Sequence, residues 1–360
     1  MREVIVKTKK EQHQFIKFRK KIYNDNPKFI DNNLFMIKQL FSLKTCFLDN
    51  KEVIPIYIED NGEIKCECLV IYTKFLPEYI QICFFESLEN VSDAVKMLVD
   101  FAIKIGKKYN CTKLVVGLNG HVNYGLGLLA SHYETTNSFS ASINPEYYND
   151  YFKNLNYEEV LLNTYIFNDM ESKVSRYSSI INKVNNAYSF EFFDSKKFDY
   201  YTKIYTDLNN EIFINHRYWY QRNYKEDKEM LKEMLLFMKP DSLIFSFKDN
   251  KPVGFILWYP DYNELVSPKE EFGVRTYIKN IFFNKKIKKA KIVEIGILEE
   301  YRKSGLPLGL INQVYLRLKK YGITKGESSW ILDENADSNS VCKAVCDEDY
   351  KRYVVYETNL

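Results

Sequence analysis

The chain lacks a charge of either sign to spare: 51 Lys and Arg stand against 48 Asp and Glu, a formal net charge of +3 over 360 residues. That balance gives no ground for expecting a nucleic-acid or a membrane-surface partner. Long apolar runs are missing too. The opening Met1–Lys10 has no continuous apolar core of the signal-peptide kind, and no stretch approaches the ~20 apolar residues of a membrane span. Cysteine is sparse, seven residues odd in number and scattered, which suits a reducing compartment rather than a disulfide framework. The expectation is a cytoplasmic protein. Metal-ligand spacing is absent as well. His13, His121, His132 and His216 form no ligand pattern, and Cys66 and Cys68 with Cys83 have no fourth partner, so core packing outweighs zinc and no metal is expected. Gly117–Gly127 bears glycines without a phosphate-loop pattern.

What is present is ordinary globular composition, 46% hydrophobic and 28% charged. The length fits two domains of roughly 150–200 residues. The 29 Tyr and 25 Phe read as a drift of codon usage, not as a base-stacking surface.

Periodicity then orders the chain. Strand patterns fall at Val4–Thr8, Val53–Ile58, Ile64–Tyr72, Tyr79–Glu86 and Thr112–Val116. Helices are expected over Glu11–Tyr23 and from Ser92 to Lys108, a short helix over Glu146–Leu155, and a strand over Leu162–Phe167. Asp60-Asn61-Gly62 is a hairpin signal. A polar stretch over 169–187 reads as a linker helix. Beyond it come strand Tyr188–Phe192, helices Ser195–Phe213 and Lys225–Lys239, and hairpin strands Leu243–Phe247 and Val253–Trp258. Strand Lys291–Leu298, helix Leu308–Tyr321, strand Gly326–Leu332, helix Ser338–Cys346 and closing strand Tyr350–Glu357 complete the order. The element order of the first half recurs in the second, which predicts two α+β units in tandem, over 1–168 and 188–360.

One junction carries chemistry. The strand through Val293-Glu294-Ile295-Gly296-Ile297 runs into Arg302-Lys303-Ser304-Gly305 and directly onto a helix. A helix start presents free N–H groups and a positive dipole end, so it attracts a pyrophosphate. Arg302 and Lys303 add charge, and Gly305 admits a close backbone approach. The corresponding junction of the first half, Phe84–Asp93, has no Gly, Arg or Lys and carries Glu86, Glu89 and Asp93; it would repel a pyrophosphate.

These residues resemble the GNAT superfamily of N-acyltransferases, whose motif is Arg/Gln-x-x-Gly-x-Gly/Ala after a strand, and in particular its tandem bacterial members. Ser329-Trp330-Ile331-Leu332-Asp333-Glu334-Asn335, the closing Tyr350–Glu357, and the turn Tyr259-Pro260-Asp261-Tyr262-Asn263 are similar to the same group. So are Phe84-Phe85-Glu86, Gly117-Leu118-Asn119, Gly127-Leu128-Leu129 and Asn144–Tyr148. The resemblance implies two tandem GNAT-like domains, each a mixed, mostly antiparallel twisted sheet flanked by helices. Pro307 departs from the motif where Gly or Ala is preferred, and it removes one N–H from the cradle. Cys346-Asp347 departs from a glycine pair.

The resemblance also implies roles. Acetyl-CoA or another acyl-CoA would pair with the main chain of Ile295 and Ile297. Its phosphates would lie on Arg302, Lys303, Ser304, Gly305, Leu306, Leu308 and Gly309, and Asn335 would face it. Glu294 would be the base that takes the proton of the attacking amine, and burial between Val293 and Ile295 would raise its pKa. The family's usual tyrosine acid is missing between Asn335 and Cys346, which leaves Cys346, Tyr350 or water. Tyr259, Asp261 and Asn263 would serve a small-molecule or amino-acid-like amine acceptor. Asn215–Tyr220 would line its groove or pack in the core. The assembly state is left open, a homodimer included. Two alternatives stand beside this enzyme: a non-catalytic GNAT-like binding protein and an aminoacyl-tRNA-dependent aminoacyltransferase. The near-neutral charge and the lack of a long heptad insertion weigh against the latter.

Overall fold

Local signals start and stop the elements as the sequence suggests. Thr8 Oγ1 accepts from the Glu11 amide at 3.2 Å while Glu11 Oε2 accepts from the Thr8 amide at 2.7 Å, a closed capping box. Asn61 and Gly62 turn the first hairpin with φ of 51° and 80°, values that suit a tight hairpin turn. Asn223 caps a later helix through the Glu226 amide at 3.0 Å, and Gly322, φ 67°, ends another.

A computed structural model describes the chain except residues 156, 236, 268, 269, 271 and 272. Its first half contains β1 (Arg2–Ile5), α1 (Lys9–Ile22), α2 (Leu34–Ser42), β2 (Lys51–Asp60), β3 (Glu63–Thr73), β4 (Tyr79–Ser87), α3 (Ser92–Lys108), β5 (Lys113–Val116), β6 (Leu128–Leu129), α4 (Tyr147–Lys153) and β7 (Glu158–Phe167). There follow α5 (Met170–Ser175), α6 (Ser178–Ala187), β8 (Ser189–Phe192), α7 (Phe198–Ile212), α8 (Tyr224–Met234), β9 (Leu243–Lys248) and β10 (Lys251–Pro260). Then come α9 (Val274–Phe283), β11 (Lys289–Ile297), α10 (Leu306–Tyr321), β12 (Lys325–Ser328), β13 (Ile331–Leu332), α11 (Ala336–Val345) and β14 (Glu348–Asn359).

These elements form two units, Met1–Leu162 with Lys351–Leu360, and Asn163–Ser267 with Gly273–Tyr350. In the first, strands run in the order β1-β2-β3-β4-β5-β14; every neighbouring pair is antiparallel except β4 with β5. In the second the order is β8-β9-β10-β11-β12-β7, antiparallel except β11 with β12. The two sheets are therefore the same mixed α+β arrangement, and the repeat of element order is real at the level of topology. In the first unit α3 packs on one face around Leu98, Ile80 and Val116, and Phe15, Phe47 and Leu69 fill the other. In the second, α10 packs with Leu306, Leu310 and Val314 on one face, and α7 with Tyr205 and Leu208 on the other.

Several expectations need correction. The closing strand, assigned to the second half, lies in the first unit, with Tyr356 opposite Val116 and Thr358 opposite Leu114. The end of β7, assigned to the first half, pairs in the second unit, Gly326 opposite Phe167. A strand's alternation says which face is buried but not which neighbour it joins. The linker expected over 169–187 is α5 and α6, whose Met170, Val174, Ile181 and Val184 belong to the second unit's core. The division at 168 and 188 therefore differs from the observed one. Helix α8 stops at Met234, short of Lys239, and α9 has no counterpart in the expected order.

Candidate active site

β11 is built to open. Leu257 pairs with Glu294 and Trp258 with Ile292, so Val293 is an extra residue that bulges from the ladder. On the other side, parallel pairing with β12 ends at Ile292 opposite Ser328, followed by one bond from the Ser329 amide to Ile292 O at 2.7 Å. Past that point, among the described residues, β11 continues alongside β10 alone. The Leu298 amide donates to Val253 O, so residues 294, 296 and 298 turn their main chain toward β10. By alternation, Ile295 and Ile297 turn theirs toward the side that β12 has left. An amide-bearing ligand could pair there as an added strand.

Glu294 stands at the bulge, half-buried. Tyr205 Oη, from α7, donates to Glu294 Oε2 at 2.7 Å. Burial pushes the Glu294 pKa up to about 7, with the Tyr205 hydrogen bond and Arg222 pulling it down and Asp227 pushing it up. Tyr205 is itself driven well above the usual phenol value by burial and by Glu294, so it remains a neutral donor. Its ring sits edge-on to Phe255, 5.2 Å between centroids. Below lies a fully buried ion pair, Arg222 Nη2 to Asp227 Oδ1 at 2.5 Å. Asn210 clamps the Arg222 main chain with bonds of 2.8 and 3.0 Å.

The loop between α7 and α8 reaches the mouth of the opening. His216 and Trp330 rings lie 6.0 Å apart, and Trp330 follows the point where β12 departs. Arg217 Nη1 is 3.8 Å from Glu334 Oε2. Tyr218, Trp219 and Tyr220 are buried. Asn215–Tyr220 thus divides: its aromatic end packs in the interior while His216 and Arg217 edge the site.

The loop after β11 is more self-engaged than its sequence suggests. Arg302 Nε donates to Ile297 O at 3.2 Å and its Nη2 to Ile212 O at 3.4 Å. The amides of Arg302 and Ser304 bond to Glu299 O and Tyr301 O, and those of Leu308 and Gly309 bond to Gly305 O. Ser304 Oγ donates to Tyr301 O at 2.7 Å. With Pro307 lacking an N–H, the amides left for an anion are those of Lys303, Gly305 and, beyond a long 3.4 Å contact with Ser304 Oγ, Leu306. Gly305 caps α10 with φ 81°. A side chain there would meet Ile180 of α6 at 2.6 Å, and one at Gly309 would collide with Val184. Both glycines therefore admit α6 as well as any ligand.

Several sequence-derived candidates have local structural partners of their own. Asn335 caps α11, accepting from the Ser338 amide at 3.1 Å. Tyr259, Asp261 and Asn263 are all buried, and Asp261 Oδ1 accepts from the Asn263 amide at 3.2 Å in an Asx turn. That turn adjoins Lys289, at the start of β11, whereas the loop follows its end. At ~3.3 Å per strand residue the turn and the loop lie roughly 25 Å apart, while Tyr259, opposite Lys291, is about 10 Å along the strand from Glu294. Cys346 is a core residue beside Cys342, its thiol pushed far up by that neighbour and by burial. Sequence patterns missed Tyr205; its only sequence mark is membership in the apolar stripe of α7.

Comparison with known proteins fits this architecture. A tandem GNAT protein from the clavulanic acid biosynthesis pathway superposes with a TM-score of 0.58 at 10% identity, over 99% of this chain and 98% of that one. This chain has the tandem GNAT fold. A GCN5-related N-acetyltransferase from Sphaerobacter thermophilus matches with a TM-score of 0.52 at 10% identity, covering 99% and 95% of the two chains. No protein-family model matches the chain. By sequence it is 26% identical over 137 residues to Protein YghO of Escherichia coli (strain K12), 36% of this chain and 35% of that protein's length. The match thus spans about a third of that relative.

The two GNAT-like sheets differ at their open strands. In the first unit β4 parts from β5 after Ile82 opposite Val116, just as β11 parts from β12. There a small cavity lined by Arg19, Phe84, Glu86 and Asn119 remains, and the unit's own groups bond to part of the strand edge. The Phe84 amide donates to Asn119 Oδ1 at 3.0 Å, and the Ser87 amide to Tyr148 Oη at 2.8 Å. Glu86 is paired with Arg19 and accepts from Tyr148 Oη at 2.8 Å, and Arg19 also holds Asp31 at 2.8 Å. These bonds engage the Phe84 and Ser87 amides and the Glu86 carboxylate, where the second unit shows no such partners for Ile295 among the described residues.

Proposed function

We propose that the chain is an acyl-CoA-dependent N-acyltransferase, with its site in the second unit and a small amine or amino-acid-like compound as acceptor. The observation that carries this is the Tyr205–Glu294 pair set at the bulge beside the open main-chain edge of β11. Ile295 would hold the amide-bearing arm of acyl-CoA, probing the same edge a partner strand would use. Lys303, with the amides of Gly305 and Leu306 and the dipole of α10, would receive its phosphates. Bound there, acyl-CoA supplies a thioester carbonyl. Glu294, with a pKa near 7, is matched to accept the ammonium or amine proton at neutral pH. Tyr205 orients the carboxylate and stays protonated. Arg302 holds the loop against Ile297 and Ile212 rather than pointing a free guanidinium at the phosphates.

The self-engaged loop amides and Pro307 favour one second reading, a GNAT-like protein that binds an acyl-CoA without turning it over. Calorimetric titration with acetyl-CoA and longer acyl-CoAs, paired with an amine-acceptor screen, separates the two. Saturable binding with turnover that Glu294→Gln abolishes supports the enzyme. Binding with no turnover leaves the binding protein, and no binding of any acyl-CoA overturns both.

A further inference from the structure

Helix α9 is folded inside out. Its Thr276 is fully buried and its Tyr277 ring packs against Phe237, 6.2 Å between centroids. Its apolar residues point the other way: Val274 is 75% exposed, Ile278 48%, Ile281 53% and Phe282 72%. At spacings of four, three and one, these four form one stripe along the helix. A folding chain turns such a stripe inward unless something else covers it.

The surroundings say what that is. Between Gly273 and Val293 the sequence has Arg275, Lys279, Lys285, Lys286, Lys288, Lys289 and Lys291 and no Asp or Glu. A balanced whole-chain charge conceals this run. Arg275, Lys285, Lys286 and Lys288 are exposed, and Lys286 Nζ lies over the Phe283 ring at 4.8 Å. Glu264 accepts the Lys288 and Lys289 amides and so engages the backbone of the run; Lys288 Nζ donates to Gly322 O at 3.2 Å and Lys291 is buried, which leaves Arg275, Lys285 and Lys286 as the exposed cations beside the stripe.

We infer that α9 and the lysine run after it dock the protein on an anionic lipid surface, with Val274, Ile278, Ile281 and Phe282 entering the headgroup boundary and the cations meeting lipid phosphates. An amphipathic helix with Phe and Ile on one face and Lys and Arg at its flanks is suited to lie in that plane. The helix is ~15 Å long. A second copy docked on the same stripe would bring two cationic rims together, which disfavours a symmetric dimer. No described helix is long and apolar enough to cross a membrane, so the contact is peripheral.

The test is flotation of the full chain with phosphatidylcholine vesicles, with and without about 30% phosphatidylglycerol, enough to give an anionic surface potential. The protein should float with the anionic vesicles alone, and salt should weaken the binding. Ile278→Ser with Phe282→Ser, and separately Lys285→Glu with Lys286→Glu, should each reduce partitioning by about tenfold or more. All four side chains are exposed, so circular dichroism and melting should match the parent. Absence of flotation with either vesicle overturns the inference. So does flotation that the Ile278→Ser, Phe282→Ser variant retains in full. Concentration-dependent self-association or capture of an acidic protein, lost in that variant while vesicles fail to bind, assigns the face to a protein and overturns it as well.

Discussion

Tyr205 on α7 and Glu294 on β11, 89 positions apart, meet through a 2.7 Å hydrogen bond from the phenol to the carboxylate. The pair places a group that titrates near neutrality at a bulge beside an open strand edge, and the predictions follow from what holds it there.

The first concerns pH. With Glu294 near 7 as the proton acceptor, kcat/KM should rise through pH 7 as the carboxylate ionises. Glu294→Gln should lower kcat by about 10²–10⁴-fold and flatten that limb. The stability sign is the reverse. The folded chain keeps this proton to higher pH than the unfolded chain, whose carboxyl titrates near 4.5. The group's contribution therefore falls as pH rises through that window, and Glu294→Gln should remove the trend in melting temperature.

Tyr205→Phe tests positioning. The phenol's hydrogen bond pulls the Glu294 pKa down, so its loss should move the ascending limb of the pH–rate profile to higher pH. A purely structural tyrosine would lower stability and leave the limb in place.

The Arg222–Asp227 pair is fully buried. Asp227→Asn should destabilise the protein by about 3–5 kcal/mol, because a buried guanidinium loses its counter-charge. Arg222→Met together with Asp227→Leu should recover much of that loss in chemical denaturation. If the single and double variants unfold alike, the pair is not what stabilises the α7–α8 loop.

Gly309 faces Val184 at the crossing of α10 with α6. Gly309→Val should cost about 1–3 kcal/mol through overpacking, and Val184→Ala should relieve part of it. Independence of the two substitutions in a double-mutant cycle would contradict the contact.

The limits of the sequence follow the distance over which each feature is determined. Strand alternation and the Asn61-Gly62 hairpin are local, and both were legible. The upward shift of the Glu294 pKa by burial was legible because its apolar neighbours share its strand. The fate of Tyr350–Glu357 was not, since a strand's partner is chosen by tertiary pairing. Tyr205 was hidden for the same reason, as its partner lies on another element. Asp261 and Asn335 carry a local duty that the sequence reading did not assign them, as a turn and a helix cap. Helix α9 escaped because the expected order assigns no element between the Tyr259–Asn263 turn and strand Lys291–Leu298. Its exposed apolar side has no tertiary partner among the described residues to reinforce the pattern.

The account's central claim is that the second unit, at the edge of Ile295, receives acyl-CoA. Amide hydrogen exchange with and without acetyl-CoA tests it most directly, because the claim concerns main-chain N–H groups. Protection should appear over Ile295–Leu298 and at Lys303–Leu306, with Phe84–Ser87 of the first unit unchanged. Protection confined to Phe84–Ser87, or to neither segment at saturating ligand, would contradict it.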